Sequence, residues 1–100
     1  MSRPLDRLVG MTLLAVSPGA DVLSLNLTGC AIAVYSSHAA SRPLSSLIAL
    51  SVESVDCSDG VRLDIRFSSG DLFSVSLLPE HYVGPEAFSA EFSDGTYVVV

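Results

Sequence analysis

Neither lysine nor tryptophan occurs anywhere in the 100 residues, cysteine occurs only twice, and charged side chains make up 16% of the chain. Each scarcity excludes something. Five arginines stand against eleven carboxylates, a formal net charge of −6, so the clustered positive charge that phosphate backbones and anionic lipid require is missing. Neither nucleic acid nor a membrane surface is therefore expected as a partner, whereas a basic or neutral protein is permitted. Cys30 and Cys57 can form at most one bridge, which is not a disulfide framework, and free thiols in a reducing cytoplasm are the expectation.

Long hydrophobic runs are lacking as well. The most apolar stretches, residues 11–16 and 47–52, are short and interrupted, far below the ~20 residues a spanning helix needs. Arg3 and Arg7 precede an apolar run, but Asp6, Gly10 and Thr12 break the pattern of a secretory signal, and no small-x-small cleavage site follows. An uncleaved cytoplasmic chain is expected. With 49% hydrophobic residues and a mean hydropathy of +0.52, the sequence is too apolar to be disordered and short of charge for a free monomer. One domain over residues 1–100, with some apolar surface meeting a partner, fits that balance.

What the sequence does contain is an internal repeat. Leu23, Leu25 and Leu27 fall on Leu63, Ile65 and Phe67 at a shift of forty positions, both with strict alternation. Beyond the turn the shift is forty-one, so that Gly29 falls on Gly70, Ile32 on Phe73 and Val34 on Val75. Upstream, Ala15 falls on Val55. Each copy, at about 11–35 and 51–77, reads as strand, turn-forming loop, strand, tight turn and strand, which is a meander. A third echo lays Phe67-Ser68-Ser69-Gly70 on Phe92-Ser93-Asp94-Gly95 and predicts a C-terminal hairpin over 87–100. Gly70 and Gly95 occupy the left-handed position that closes a three-residue hairpin loop. The fold expected is all-β, about eight short antiparallel strands in a two-layer sandwich or flattened barrel. Residues 4–9 read as a short helical turn, 36–46 as a long connection, and 47–55 as the first strand of the second copy.

The glycine corners fix the phase. Phe67 facing Asp71 puts Leu63, Ile65, Phe67, Phe73, Val75 and Leu77 on one side and Arg62, Asp64, Arg66, Ser74 and Ser76 on the other. In the first copy Leu27 pairs with Cys30, so Leu23, Leu25, Leu27, Cys30, Ile32 and Val34 form the core face. Its reverse, Val22, Ser24, Asn26, Ala31, Ala33 and Tyr35, carries no charge. An uncharged face of that size is seldom left bare, so a further element or a second copy in a homodimer is expected to cover it.

Chemistry-bearing patterns are sparse. Cys30, His81 and an Asp match a nucleophile, base and orienter only by residue type, and alternation buries the Cys30 thiol. Cys57 lies in an Asp56-Cys57-Ser58-Asp59-Gly60 loop whose carboxylates disfavour a thiolate. That loop lacks the spacing of a calcium loop, and His38, Cys57 and His81 lack the paired spacing of a zinc site. No catalytic, metal or cofactor site is expected. If loops do the work, Glu80, His81, Tyr82 and Glu86 in the proline-bracketed stretch are the recognition residues. Glu53, Asp56 and Asp59 form an acidic cluster suited to a basic partner, with Tyr35 at the margin of the uncharged face.

The segments LNLTGCAIAV, IRFSSGDLFSV and AEFSDGTYVVV, with the intervening PEHYVGPEA, resemble small bacterial β-rich domains, some of which are immunity proteins encoded beside polymorphic or contact-dependent toxins. The resemblance runs loosely from Gly10 to Val100 and rests on a hairpin signature. It implies a cytoplasmic, non-enzymatic protein whose acidic surface masks a toxin domain, often a basic nuclease. The competing expectation is a homo-oligomeric structural or small-ligand-binding β domain.

Overall fold

The computed structural model describes residues 4–19, 22–58, 61–78, 80 and 87–99. Among them run nine strands: β1 (Leu13–Pro18), β2 (Leu23–Leu27), β3 (Cys30–Val34), β4 (His38–Ala40), β5 (Val52–Ser58), β6 (Arg62–Phe67), β7 (Leu72–Ser76), β8 (Phe88–Phe92) and β9 (Tyr97–Val99). They form two antiparallel sheets, ordered β1-β2-β3-β8-β9 and β4-β7-β6-β5. Neither closes on itself, so the architecture is the sandwich and not the barrel. Buried side chains from both sheets make one core, with Phe73, Phe88, Leu8, Leu47, Ile65 and Leu63 nearly inaccessible to water. Each such side chain contributes about 1.5–3 kcal/mol by leaving water.

The alternating faces fall as the pattern requires. Leu63, Ile65, Phe67, Phe73, Val75 and Leu77 are buried, as are Leu23, Leu25, Leu27, Cys30, Ile32 and Val34. Leu27 lies opposite Cys30, and the Phe67 N–H donates to the Asp71 carbonyl at 2.8 Å. Gly70 and Gly95 take φ of 90° and 93°, the left-handed conformation that three-residue loops demand.

Register shows the same meander twice. Leu23 opposite Val34 in the first copy corresponds to Leu63 opposite Val75 in the second. Both first strands carry a bulge, at Leu13/Ala15 and at Val52/Ser54. The likeness continues past the meanders. Chain leaving β3 crosses to the second sheet as β4 and pairs with β7, and chain leaving β7 crosses to the first sheet as β8 and pairs with β3. The two copies thus exchange their fourth strands.

Four expectations need correction. Residues 38–40 are not connection but strand β4, which makes nine strands where about eight were expected. The second copy's first strand begins at Val52, because Leu44–Leu47 form a 3-10 turn matching the one at Pro4–Leu8. Val16 and not Ala15 corresponds to Val55: these residues face Leu25 and Ile65, which are themselves equivalent. The upstream shift is thirty-nine throughout, and it becomes forty because the connection from Cys57 to Leu63 is one residue longer than that from Pro18 to Leu23. Cys57 is not in a loop. β5 runs on through Ser58, placing Cys57 opposite Leu63 and half-buried against the core.

Candidate functional site

The two outer faces differ sharply in charge. On the second sheet, Arg62 Nε lies 3.0 Å from an oxygen of Asp64, and the Ser74 hydroxyl donates to the same carboxylate at 2.7 Å. Asp56 sits directly across from Asp64, and Arg66 is exposed on the same strand. This face is a solvated mesh of opposite charges.

The first sheet presents something else. Pairing through β1, β2, β3, β8 and β9 aligns Ala15, Asn26, Ala31, Glu91 and Tyr97 in one row across the strands. The next row is Ser17, Ser24, Ala33, Ser89 and Val99. Glu91 is the one ionisable carboxylate in these ten positions. Apart from Asn26 the positions from β1 to β3 are small, and larger side chains come only with Glu91, Tyr97 and Val99, so the twisted sheet forms an open trough of about 450 Å³ lined by Ala31, Ala33 and Ser89 and bordered by Tyr35 and Tyr97. Tyr97 is 55% exposed and Val99 49%. Among the described residues no strand or helix lies over the trough. β8 and β9 extend the expected uncharged face sideways instead of covering it, while Val22 falls at its margin, in a smaller hollow shared with Tyr35 and His38.

Among the described residues the trough lacks the parts of a reaction centre. General acid-base or nucleophilic catalysis needs a donor and acceptor, or a nucleophile and its base, within hydrogen-bond reach. Glu91 has no histidine, thiol or second carboxylate along its row. Cys30 faces the core, and burial pushes its thiol up to about 11, opposed by a smaller downward pull from Arg7 and aided by Glu91. It is a neutral packing group at physiological pH. Among the described residues no cluster of His, Cys, Asp or Glu is placed to hold a metal ion.

The residues singled out from sequence do not converge. Glu53 is exposed at the bulge of β5 and Asp56 is exposed further along the same strand, both on the second sheet. Tyr35 follows β3 on the first sheet, half-buried, its N–H bonded to the Ala87 carbonyl at 2.8 Å. Glu80 is exposed. Asp59, His81, Tyr82 and Glu86 lie outside the described residues. Sequence reasoning missed Ser89, Glu91, Tyr97 and Val99 as members of the uncharged face. Their signal was the alternation of Phe88, Ala90 and Phe92 with Ser89 and Glu91, which marks a strand needing a buried neighbour, though not which one.

No protein-family model, curated protein or solved structure matches the chain.

Proposed function

We propose that this chain is a non-enzymatic protein-binding module whose contact surface is the trough on the first sheet, and that its concrete role is immunity-type neutralisation of a toxin in the cytoplasm. The observation that carries the reading is the contrast between the two outer faces: one a charge mesh, the other two aligned rows with a single carboxylate. Exposed faces of low charge lower solubility unless a partner covers them. Tyrosine at the rim and small residues on the floor suit the anchor-and-pocket pattern of protein interfaces. The charge of −6 favours a basic partner, such as a nuclease domain, by steering its approach.

The test is titration calorimetry against the toxin domain encoded beside this protein's gene. The reading expects a stoichiometric complex that Ala31→Arg weakens tenfold or more, about 1.4 kcal/mol, with association slowed by salt. A neighbouring toxin that is not bound, or is bound equally well by the variant, overturns it. A homodimer closed through the trough with no affinity for another protein favours the structural or ligand-holding role instead.

A further inference from the structure

A sheet edge is a row of unpaired backbone groups, and proteins blunt such rows with bulges, charges, proline or brevity. Three of the four edges here are blunted. β1 is bulged at Leu13/Ala15 and ends in Pro18, β5 is bulged at Val52/Ser54 and carries exposed Glu53 and Asp56, and β4 is three residues long and followed by Arg42. Among the described residues the fourth edge, β9, shares the brevity of β4 but has none of the other devices. Thr96-Tyr97-Val98-Val99 is uncharged, without proline or bulge, and built of residues with high strand preference.

Its hydrogen bonding can be read from the neighbouring strand. The Phe92 N–H donates to the Thr96 carbonyl at 2.8 Å, and Ala90 lies opposite Val98. Hydrogen-bonded pairs alternate with unbonded ones in an antiparallel ladder, so Val98 bonds to Ala90 while the N–H and C=O of both Tyr97 and Val99 point to the open side.

We propose that β9 pairs antiparallel with β9 of a second copy about a two-fold axis at Val98, joining the five strands of each copy into one continuous sheet. The edge is self-complementary in that register. Tyr97 of each copy meets Val99 of the other in a bonded pair, giving four backbone hydrogen bonds, and the two exposed side chains form an aromatic and β-branched cross-strand pair on each side of the axis. No charge lies on the contact strand to oppose it. An isologous contact of this kind closes at two copies, consuming an edge that would otherwise template further association. The troughs stay open and lie side by side. The dimer is independent of the toxin-binding reading.

Sedimentation equilibrium of the full chain tests it, with an expected mass twice the 10.5 kDa of one chain. Val99→Pro removes an outward N–H that the β8 ladder does not use, so this variant is expected to keep its far-ultraviolet circular dichroism and sediment as a monomer. Val98→Cys, self-opposed across the axis, is expected to give a disulfide-linked dimer on mild oxidation that the parent chain does not. A monomer at every soluble concentration, a mass above the dimer, no Val98→Cys cross-link, or a dimer that survives Val99→Pro but is lost in Ala33→Arg overturns the proposal.

Discussion

Gly10 and Ala49 hold the same left-handed backbone conformation, φ 90° and 78°, at corresponding points of the two copies. Each follows a 3-10 turn, and each donates its N–H across the molecule: Gly10 to the Val52 carbonyl and Ala49 to the Leu13 carbonyl, both at 2.8 Å. Leu13 N–H to Leu50 and Val52 N–H to Met11 repeat the reciprocity, with the Thr12–Ser51 bridge between them. An approximate two-fold axis passes through that bridge. Alanine in the left-handed region costs roughly 1–2 kcal/mol, and glycine returns part of this through the greater entropy of its unfolded chain. Ala49→Gly is therefore expected to stabilise the fold by about 0.5–1 kcal/mol, and Gly10→Ala, where no atom crowds the added Cβ, to destabilise it similarly. Thermal unfolding of both variants reads the pair; a lower midpoint for Ala49→Gly refutes the assignment.

Leu8 and Leu47 end the two matching 3-10 turns, and both are fully buried. The first turn packs beside β5 and the second beside β1, so each copy's turn plugs the other's sheet. Leu8→Ala and Leu47→Ala are each expected to cost about 2–5 kcal/mol in denaturant unfolding. A loss below ~1 kcal/mol for Leu8→Ala would show the first turn to be peripheral.

Asp71 takes the place in the second copy that Cys30 takes in the first, and is nearly as buried. A carboxylate there needs partners. The hydroxyls of Ser69 and Ser41 donate to it, the latter at 2.9 Å, and Arg42 Nε lies 3.2 Å away. The serine hydrogen bonds, with help from Arg42, hold its carboxyl below the usual range. A carboxyl with a lowered folded value adds stability that is present above its unfolded value of ~3.9 and is lost as pH falls through the folded one. Asp71→Ala is expected to lower the thermal midpoint at neutral pH, with the gap to the parent closing as pH drops below 4. A gap unchanged to pH 2 contradicts this.

The Cys30 thiol, raised to about 11 by burial, is neutral in the folded protein. Because the folded value is raised, the associated stability is complete below the ordinary thiol value and declines as pH rises towards 11. Iodoacetamide at pH 8 is expected to modify Cys30 only after denaturant unfolds the chain. Equal rates with and without denaturant, followed by mass spectrometry, would show the thiol to be accessible.

Much of the fold was legible because each meander announces itself locally. Gly70 and Gly95 set the turns, and a period of two in Leu63-Ile65-Phe67 sets the face. What lay beyond local pattern was lost. β4 is three residues whose partner β7 stands more than thirty positions away, and His38-Ala39-Ala40 carries no alternation to reveal it. The longer repeat was in plain sight, Arg3-Pro4-Leu5 with Leu8 against Arg42-Pro43-Leu44 with Leu47, at a shift of thirty-nine. The connection from Cys57 to Leu63 holds one residue more than that from Pro18 to Leu23, which turns that shift into the forty of β2 and β6, so the two phases do not merge into one alignment. The uncharged face was half legible, since Ala31 and Ala33 declared it from β3, but only the strand exchange brings Glu91 and Tyr97 alongside.

Ala33 and Ser74 occupy corresponding outward positions on β3 and β7, one opposite Ser89 in the trough, the other opposite Asp64 in the charge mesh. The proposed function requires a toxin domain encoded by a neighbouring gene, and the affinity of Ala33→Arg and Ser74→Arg for such a domain, measured by calorimetry at one salt concentration, separates the two faces. Ala33→Arg is expected to weaken binding about thirtyfold or more, roughly 2 kcal/mol, and Ser74→Arg to stay within about twofold. Loss of binding in Ser74→Arg with Ala33→Arg unaffected would contradict a partner seated on the uncharged sheet.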